Sequence, residues 1–261
     1  MSRILCVAIL AAGVCFGQPR GILLEDLTWV EAEKALKPET IVVIPIGAES
    51  KEHGPHLKLK TDLLEAEYFT RQVVERADVV VAPLVNYSYY PAFVEYPGST
   101  TLRLETARDM LVDICRSLAN YGPKRFYALN TGVSTLRALE PAAKILAADG
   151  ILLRYTNVLT VGEEAEQRVK QEAGGTHADE IETSLMLFID PASVDMTKAV
   201  KDYHPGQGGL TRDPHKPGAY SPSGVFGDAT LATRAKGETV ANAMVEGMLR
   251  EIAELRRTPL P

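Results

Sequence analysis

Cysteine is scarce in this chain, with 3 among 261 residues, and two of them, Cys6 and Cys15, lie in an apolar N-terminal stretch. Once that stretch is removed only Cys115 remains, so no internal disulfide can staple the fold, and Cys115 reads as a core residue. Basic charge is also short. The 28 Lys and Arg face 34 Asp and Glu, a net charge of −6, which opposes capture by nucleic acid or anionic lipid. No apolar run approaches the roughly 20 residues that cross a bilayer, no internal repeat is evident, and no short metal motif of the HExxH kind occurs.

Among the features present, the N-terminus comes first. Met1 to Gly17 places Arg3 before an apolar run from Ile4 to Phe16 and ends in small residues, the pattern of a secretory signal peptide. It predicts export to the periplasm or the exterior, cleavage near Gly17 and one domain over 18–261. Val14 stands where a lipid-attachment site wants a small residue, which weighs against anchoring at Cys15. The alternative reading of this stretch is a buried strand or helix.

Strand and helix patterns then alternate. Thr28 and Glu31 form a capping box before a short helix ending near Leu36. The apolar run Ile41 to Ile44 reads as a doubly covered parallel strand ending at Gly47. Asp62, three residues before Glu65, reads as the N-cap of a helix over 63–77. Strands at 79–84, 125–129 and 151–155 alternate with helices at 105–121 and 136–148, and a last helix spans 237–255. The expected fold is therefore α/β, a mostly parallel sheet flanked by helices. Its ligand crevice belongs beyond the strand ends, where loops from Gly47, Val85 and Asn130 converge. Residues 202–228, rich in Gly and Pro, are too long for an ordinary connection and read as a lid or a subunit-contact loop.

Two segments concentrate titratable groups. The first runs from Lys51 to Asp62 and sets His53 and His56 beside a Gly-Pro turn with Asp62. Imidazole and carboxylate suit Zn²⁺ or Mn²⁺; the competing reading is an ordinary polar loop. The second, His177 to Ser184, offers Glu182 as a further ligand. Residues five apart on a helix diverge by about 140°, so His177 and Glu182 take different parts: Glu182 reaches the metal while His177 shuttles a proton. Glu180 is the second catalytic candidate, against the plain alternative that acids in a first helical turn serve the helix dipole. Tyr87 and Tyr89, in an aromatic stretch that closes at Ser99, together with Ser99 and Asn130 are candidate substrate contacts for a small planar molecule.

These segments resemble the creatininase family. His53-Gly54-Pro55-His56-Leu57 with Asp62, then Asn130, then His177-Ala178 with Glu182-Thr183-Ser184, and a late Ser223-Gly224-Val225-Phe226-Gly227-Asp228 match family blocks in order. The resemblance implies a layered α/β fold, hydrolysis of a non-peptide C–N bond in a cyclic or small amide, a small-molecule substrate and a homo-oligomer, in that family hexameric. It assigns one metal to His53, Asp62 and Glu182. Where the family holds a second metal this chain has Lys51 and Gly132, neither able to replace the ligand, so one ion per chain is expected, with the Lys51 ammonium near Asp62 offsetting charge. Alternatively Glu49 or Glu52 swings in as a ligand. Two rival functions stand beside amide hydrolysis: a catalytically silent protein that keeps one metal, and a metal-dependent hydrolase of lactones or other esters.

Overall fold

The computed structural model describes residues 19–206 and 208–261, so the expected signal segment at 1–17 lies outside the described residues. Five parallel strands form the central sheet: β1 (Ile22–Leu23), β2 (Ile41–Ile46), β3 (Val80–Val81), β4 (Arg125–Asn130) and β5 (Leu152–Tyr155), in the order β1-β3-β2-β4-β5. Among the described residues seven α-helices accompany them: α1 (Trp29–Ala35), α2 (Thr61–Arg76), α3 (Leu104–Ala119), α4 (Leu136–Ala148), α5 (Glu163–Val169), α6 (Glu180–Ile189) and α7 (Arg234–Arg257). Among the described residues no helix is long and apolar enough to cross a membrane.

Side-chain alternation along β2 sorts the core into two layers. Val42, Ile44 and Ile46 pack with Leu111, Val112 and Cys115 of α3 and Leu139 and Leu146 of α4. Ile41 and Val43 face the opposite way, onto Phe69 and Val73 of α2, Ile181 and Leu185 of α6 and Val240, Met244 and Met248 of α7. With both faces covered, every residue of β2 is buried, which is why the strand reads as a continuous apolar run. Pro45 is tolerated because its missing N–H falls on the β3 side, beyond that strand's last paired residue, Val81.

From β2 the chain leaves through α2 on one face toward β3, then crosses through α3 on the other face to β4 on β2's far side. The switch point therefore lies at the end of β2. Gly47 is required there: a Cβ on it would fall 2.7 Å from the Ala66 Cβ of α2. The three loops converge as expected, with Gly47 N–H donating to the Val85 carbonyl at 3.1 Å and Thr131 N–H to the Ile46 carbonyl at 3.3 Å.

Several boundaries differ from expectation. Thr28 caps α1 through a capping box, as read, but α2 begins at Thr61, with Lys60 at the N-cap position. Asp62 thus sits inside the first turn, its carboxylate free to face the crevice. The strand expected over 79–84 shortens to β3 before Pro83. Gly237 lies inside α7, which starts at Arg234 after the cap Thr233; the glycine lets α7 press against the Ser184 backbone of α6. The described residues of 202–228 fold on themselves. Within them β7 (Leu210–Thr211) pairs in parallel with β8 (Ala219–Tyr220), and β9 (Gly227–Asp228) returns to β6 (Lys201–Asp202).

Candidate metal and active site

Beyond β2, the turn at Gly54, whose φ is +70°, reverses the 51–62 loop so that Lys51, His53 and Asp62 meet. His53 Nδ1 lies 2.9 Å from the Lys51 carbonyl. A carbonyl only accepts, so Nδ1 carries a proton, and the lone pair of Nε2 is left for a second proton or a cation. That lone pair faces Asp62 Oδ1 at 2.9 Å and Glu182 Oε1 at 3.5 Å. Acceptors converging in this way are stable only with a proton or a metal cation among them, and the nitrogen and oxygen donors suit Zn²⁺ or Mn²⁺. The residues present therefore fit a divalent ion.

Glu182 arrives from α6 and His177 from just before it. Asp179 caps that helix, accepting from Ile181 N–H at 3.0 Å and Glu182 N–H at 2.9 Å. Ala178 adopts φ +48°, the only non-glycine residue in the left-handed region among those described, at a cost of about 1–3 kcal/mol. This turn is what brings His177 and Glu182 together although they are five apart: His177 Nδ1 is 3.5 Å from Glu182 Oε2, and the Ala178 N–H donates to that same oxygen. His177 Nε2 lies 3.2 Å from Glu52 Oε2, and Phe93 packs on the ring with centroids 4.4 Å apart. Backbone pairing with Phe226 pins the segment from behind.

Electrostatics separates the groups. Burial alone would lower the His177 pKa, but the Glu182 and Glu52 carboxylates outweigh it and raise the value. Burial likewise works against the Lys51 charge, yet Asp62 and then Glu182 hold its pKa above the usual lysine value. Lys51 Nζ stands 2.6 Å from Asp62 Oδ2, so the expected approach of this ammonium to Asp62 is what the structure has. Asp62 is pushed well below the carboxylate range by Lys51 and His53, against its burial. Glu65, one helical turn after Asp62, goes the other way: burial first, then Glu182 and Asp62, raise it strongly.

A cavity of about 470 Å³ opens over these groups, lined by Lys51, Glu65, Tyr89, Tyr90, Phe93, Gly132, His177 and Glu182, with Gly206, Leu210 and Ala219 of the long loop forming part of its wall. Tyr89 thus lies where a substrate contact was expected. Three other expectations do not hold. Tyr87 is exposed and does not line the cavity. Ser99 accepts the Glu52 N–H at 3.0 Å and so supports the metal loop. Asn130 is fully buried, its amide donating to the Gly132 and Thr156 carbonyls and its oxygen accepting from Gly132 N–H and the Thr135 hydroxyl, which leaves nothing for a substrate.

Glu180 must also be withdrawn as a catalytic candidate. One of its oxygens accepts from Gln171 and Glu172 N–H at 2.8 Å each and the other pairs with Lys236 of α7. Glu49 binds Asn86, and Glu52 swings in toward His177, with no ligand contact to Asp62 or His53. Tyr90 and Phe93, of the aromatic stretch read as a pocket wall, do line the cavity, whereas the sequence reading passed over Glu65. Glu65 had a signal, since positions i and i+3 share a helix face with Asp62.

Fold and site together define an α/β metal-binding hydrolase. The narrower placement comes from comparison with known proteins: the creatininase (creatinine amidohydrolase) family model matches residues 25–252, and this chain belongs to that family of amidohydrolases. It is 27% identical over 256 residues to the creatinine amidohydrolase of Pseudomonas putida, spanning 90% of this chain and 97% of that protein. It is 28% identical over 230 residues to the mycofactocin precursor peptide peptidase of Mycobacterium tuberculosis (strain ATCC 25618 / H37Rv), spanning 84% and 86%. The solved structure of creatininase Mn superposes with a TM-score of 0.74 at 25% identity, covering 90% of this chain and 98% of that one. A mutant creatininase of Zn-Zn type gives 0.73 at 25%, covering 89% and 97%.

Proposed function

We propose that the mature chain is an exported hydrolase of a cyclic or small amide, working with one Zn²⁺ or Mn²⁺ per chain held by His53, Asp62 and Glu182. The observation that carries this reading is the meeting of the His53 Nε2 lone pair with Asp62 Oδ1 and Glu182 Oε1. When bound, a divalent ion supplies Lewis acidity, which polarises a carbonyl and acidifies water.

The chain's own residues do the rest. Glu52 and Glu182 hold the His177 imidazole between them and favour its protonated form, so His177 is the group that delivers a proton to the departing amide nitrogen. Phe93 fixes the ring plane. The cavity, with Tyr89, Tyr90 and Phe93 in its wall, suits a small planar amide. Residues 202–228 act as the cover that keeps bulk water away, and assembly into a homo-oligomer, hexameric by resemblance, accompanies the fold. Export rests on the pattern of residues 1–17.

The test is metal analysis of the purified mature chain combined with turnover of a panel of cyclic amides, small linear amides and lactones. One ion per chain, with cleavage of a small amide that His177→Ala loses, is the expected result. A chain with no bound ion, or a His177→Ala variant of undiminished turnover, overturns the reading; turnover of lactones alone replaces the amide with an ester. Export is tested by sequencing the N-terminus of the secreted protein, expected to begin near residue 18.

A further inference from the structure

The donor atoms around the crevice fall into two groups that share Glu182. One is His53, His177 and Glu182; the other is Asp62, Glu65 and Glu182, whose oxygens lie within 4.8 Å of one another. Glu65 is 2% exposed and its Oε1 is buried without a hydrogen-bond partner. Its place one helical turn from Asp62 puts both carboxyls on the crevice side of α2. A buried carboxyl oxygen with no donor is uncommon and marks a place where a cation or a donor belongs.

Asp62 shows how the two groups divide. Oδ1 faces the His53 imidazole at 2.9 Å and Oδ2 faces Lys51 Nζ at 2.6 Å. The Lys51 side chain is 5% exposed, and its ammonium also sits 4.9 Å from the centre of the Phe93 ring, an electrostatically favourable position. We propose that Asp62, Glu65 and Glu182 form a second, all-oxygen cation seat, and that the Lys51 ammonium, held at its Asp62 edge, supplies the charge that keeps a second divalent ion out. The inference builds on the one-ion centre proposed above, because Asp62 and Glu182 serve both groups.

Chemistry distinguishes the two seats. Imidazole with carboxylate suits Zn²⁺ or Mn²⁺, whereas three carboxyls and no imidazole suit a hard cation such as Mg²⁺ or Mn²⁺. An ammonium paired with Asp62 gives such a seat one positive charge, and being tethered to the chain it neither exchanges nor dissociates. Deleting that charge uncovers the seat.

Equilibrium dialysis against Mn²⁺ alone, with the full mature chain, reads this out as ions per chain without reference to activity. Wild type binds one Mn²⁺. Lys51→Met, which keeps the buried stem, binds a second, and the Lys51→Met, Glu65→Gln double variant returns to one. Lys51→Gln, which still donates to Asp62, guards against misfolding of the methionine variant and also gains an ion, while Lys51→Arg stays at one. A second Mn²⁺ in wild type or in Lys51→Arg overturns the proposal. So does failure of both neutral variants to gain an ion at millimolar Mn²⁺, or a gained ion that survives loss of the Glu65 charge. If wild type binds none but Lys51→Gln gains one that Glu65→Gln removes, the carboxylate seat stands and the one-ion hydrolytic centre falls.

Discussion

The two sides of the centre handle charge in opposite ways. On the imidazole side, His53 is locked by the Lys51 carbonyl so that its free nitrogen meets Asp62 and Glu182, and His177 stands between Glu52 and Glu182. On the carboxylate side, the chain brings its own cation, Lys51, to Asp62. The contrast shows how a buried ammonium balances carboxylates that no imidazole accompanies: Lys51 neutralises charge at Asp62 from within the chain. One side presents lone pairs to an ion, while the other is neutralised from within.

The largest effect that would break this comparison is loss of the ion itself. His53→Ala or Glu182→Ala is expected to lower Mn²⁺ or Zn²⁺ retention by at least about 100-fold, since losing a group that merely orients a ligand already costs about 10- to 100-fold; metal analysis after gel filtration reads it. Next comes His177→Ala, expected to keep the ion and to lower kcat by about 10²- to 10⁴-fold. Equal loss of ion and turnover in that variant would erase the distinction between ligand and proton donor.

Away from the centre, Glu180→Ala sharpens the contrast by breaking an ion pair of no catalytic consequence. Removing one partner of the buried Glu180 and Lys236 pair is expected to cost about 3 kcal/mol, seen as a lower Tm, with ion content and substrate KM unchanged. Smallest is a pH effect from His56. Burial lowers its pKa from 6.5 to about 4, with Nε2 at 2.8 Å from the Thr183 hydroxyl and Nδ1 unpartnered. Between those values the unfolded chain takes up a proton that the folded chain refuses. Stability therefore falls as pH drops from 6.5 toward about 4, by up to ~1.4 kcal/mol per pH unit. Denaturant titrations of wild type and His56→Gln check this; the variant should lose that part of the slope.

How far the sequence could be read follows from what each residue's neighbours reveal. The strand β4 and helix α4 were legible because apolar periodicity and flanking turns are local, and α4 begins and ends where its pattern does. His53, Asp62 and Glu182 could be proposed together because donor chemistry and block order survive without coordinates, and Lys51 could be placed near Asp62 because the family resemblance puts it at a ligand position beside that aspartate. Glu180 was misassigned because an acid in a first helical turn gives no sign of a lysine on α7. Asn130 was misread for a similar reason: a polar residue at a strand end looks available until the four partners that consume it are seen. Glu65 was read only as part of a helix start, since burial of its carboxyl depends on α2 lying against the crevice.

The central claim is that His53, Asp62 and Glu182 grip one ion. Anomalous diffraction from crystals of the mature chain grown with Mn²⁺ tests it most directly. A single peak is expected within bonding distance of His53 Nε2 and of oxygens from Asp62 and Glu182, with Lys51 Nζ still at Asp62. A peak that lacks these three residues, or a second peak displacing the Lys51 ammonium, would contradict it.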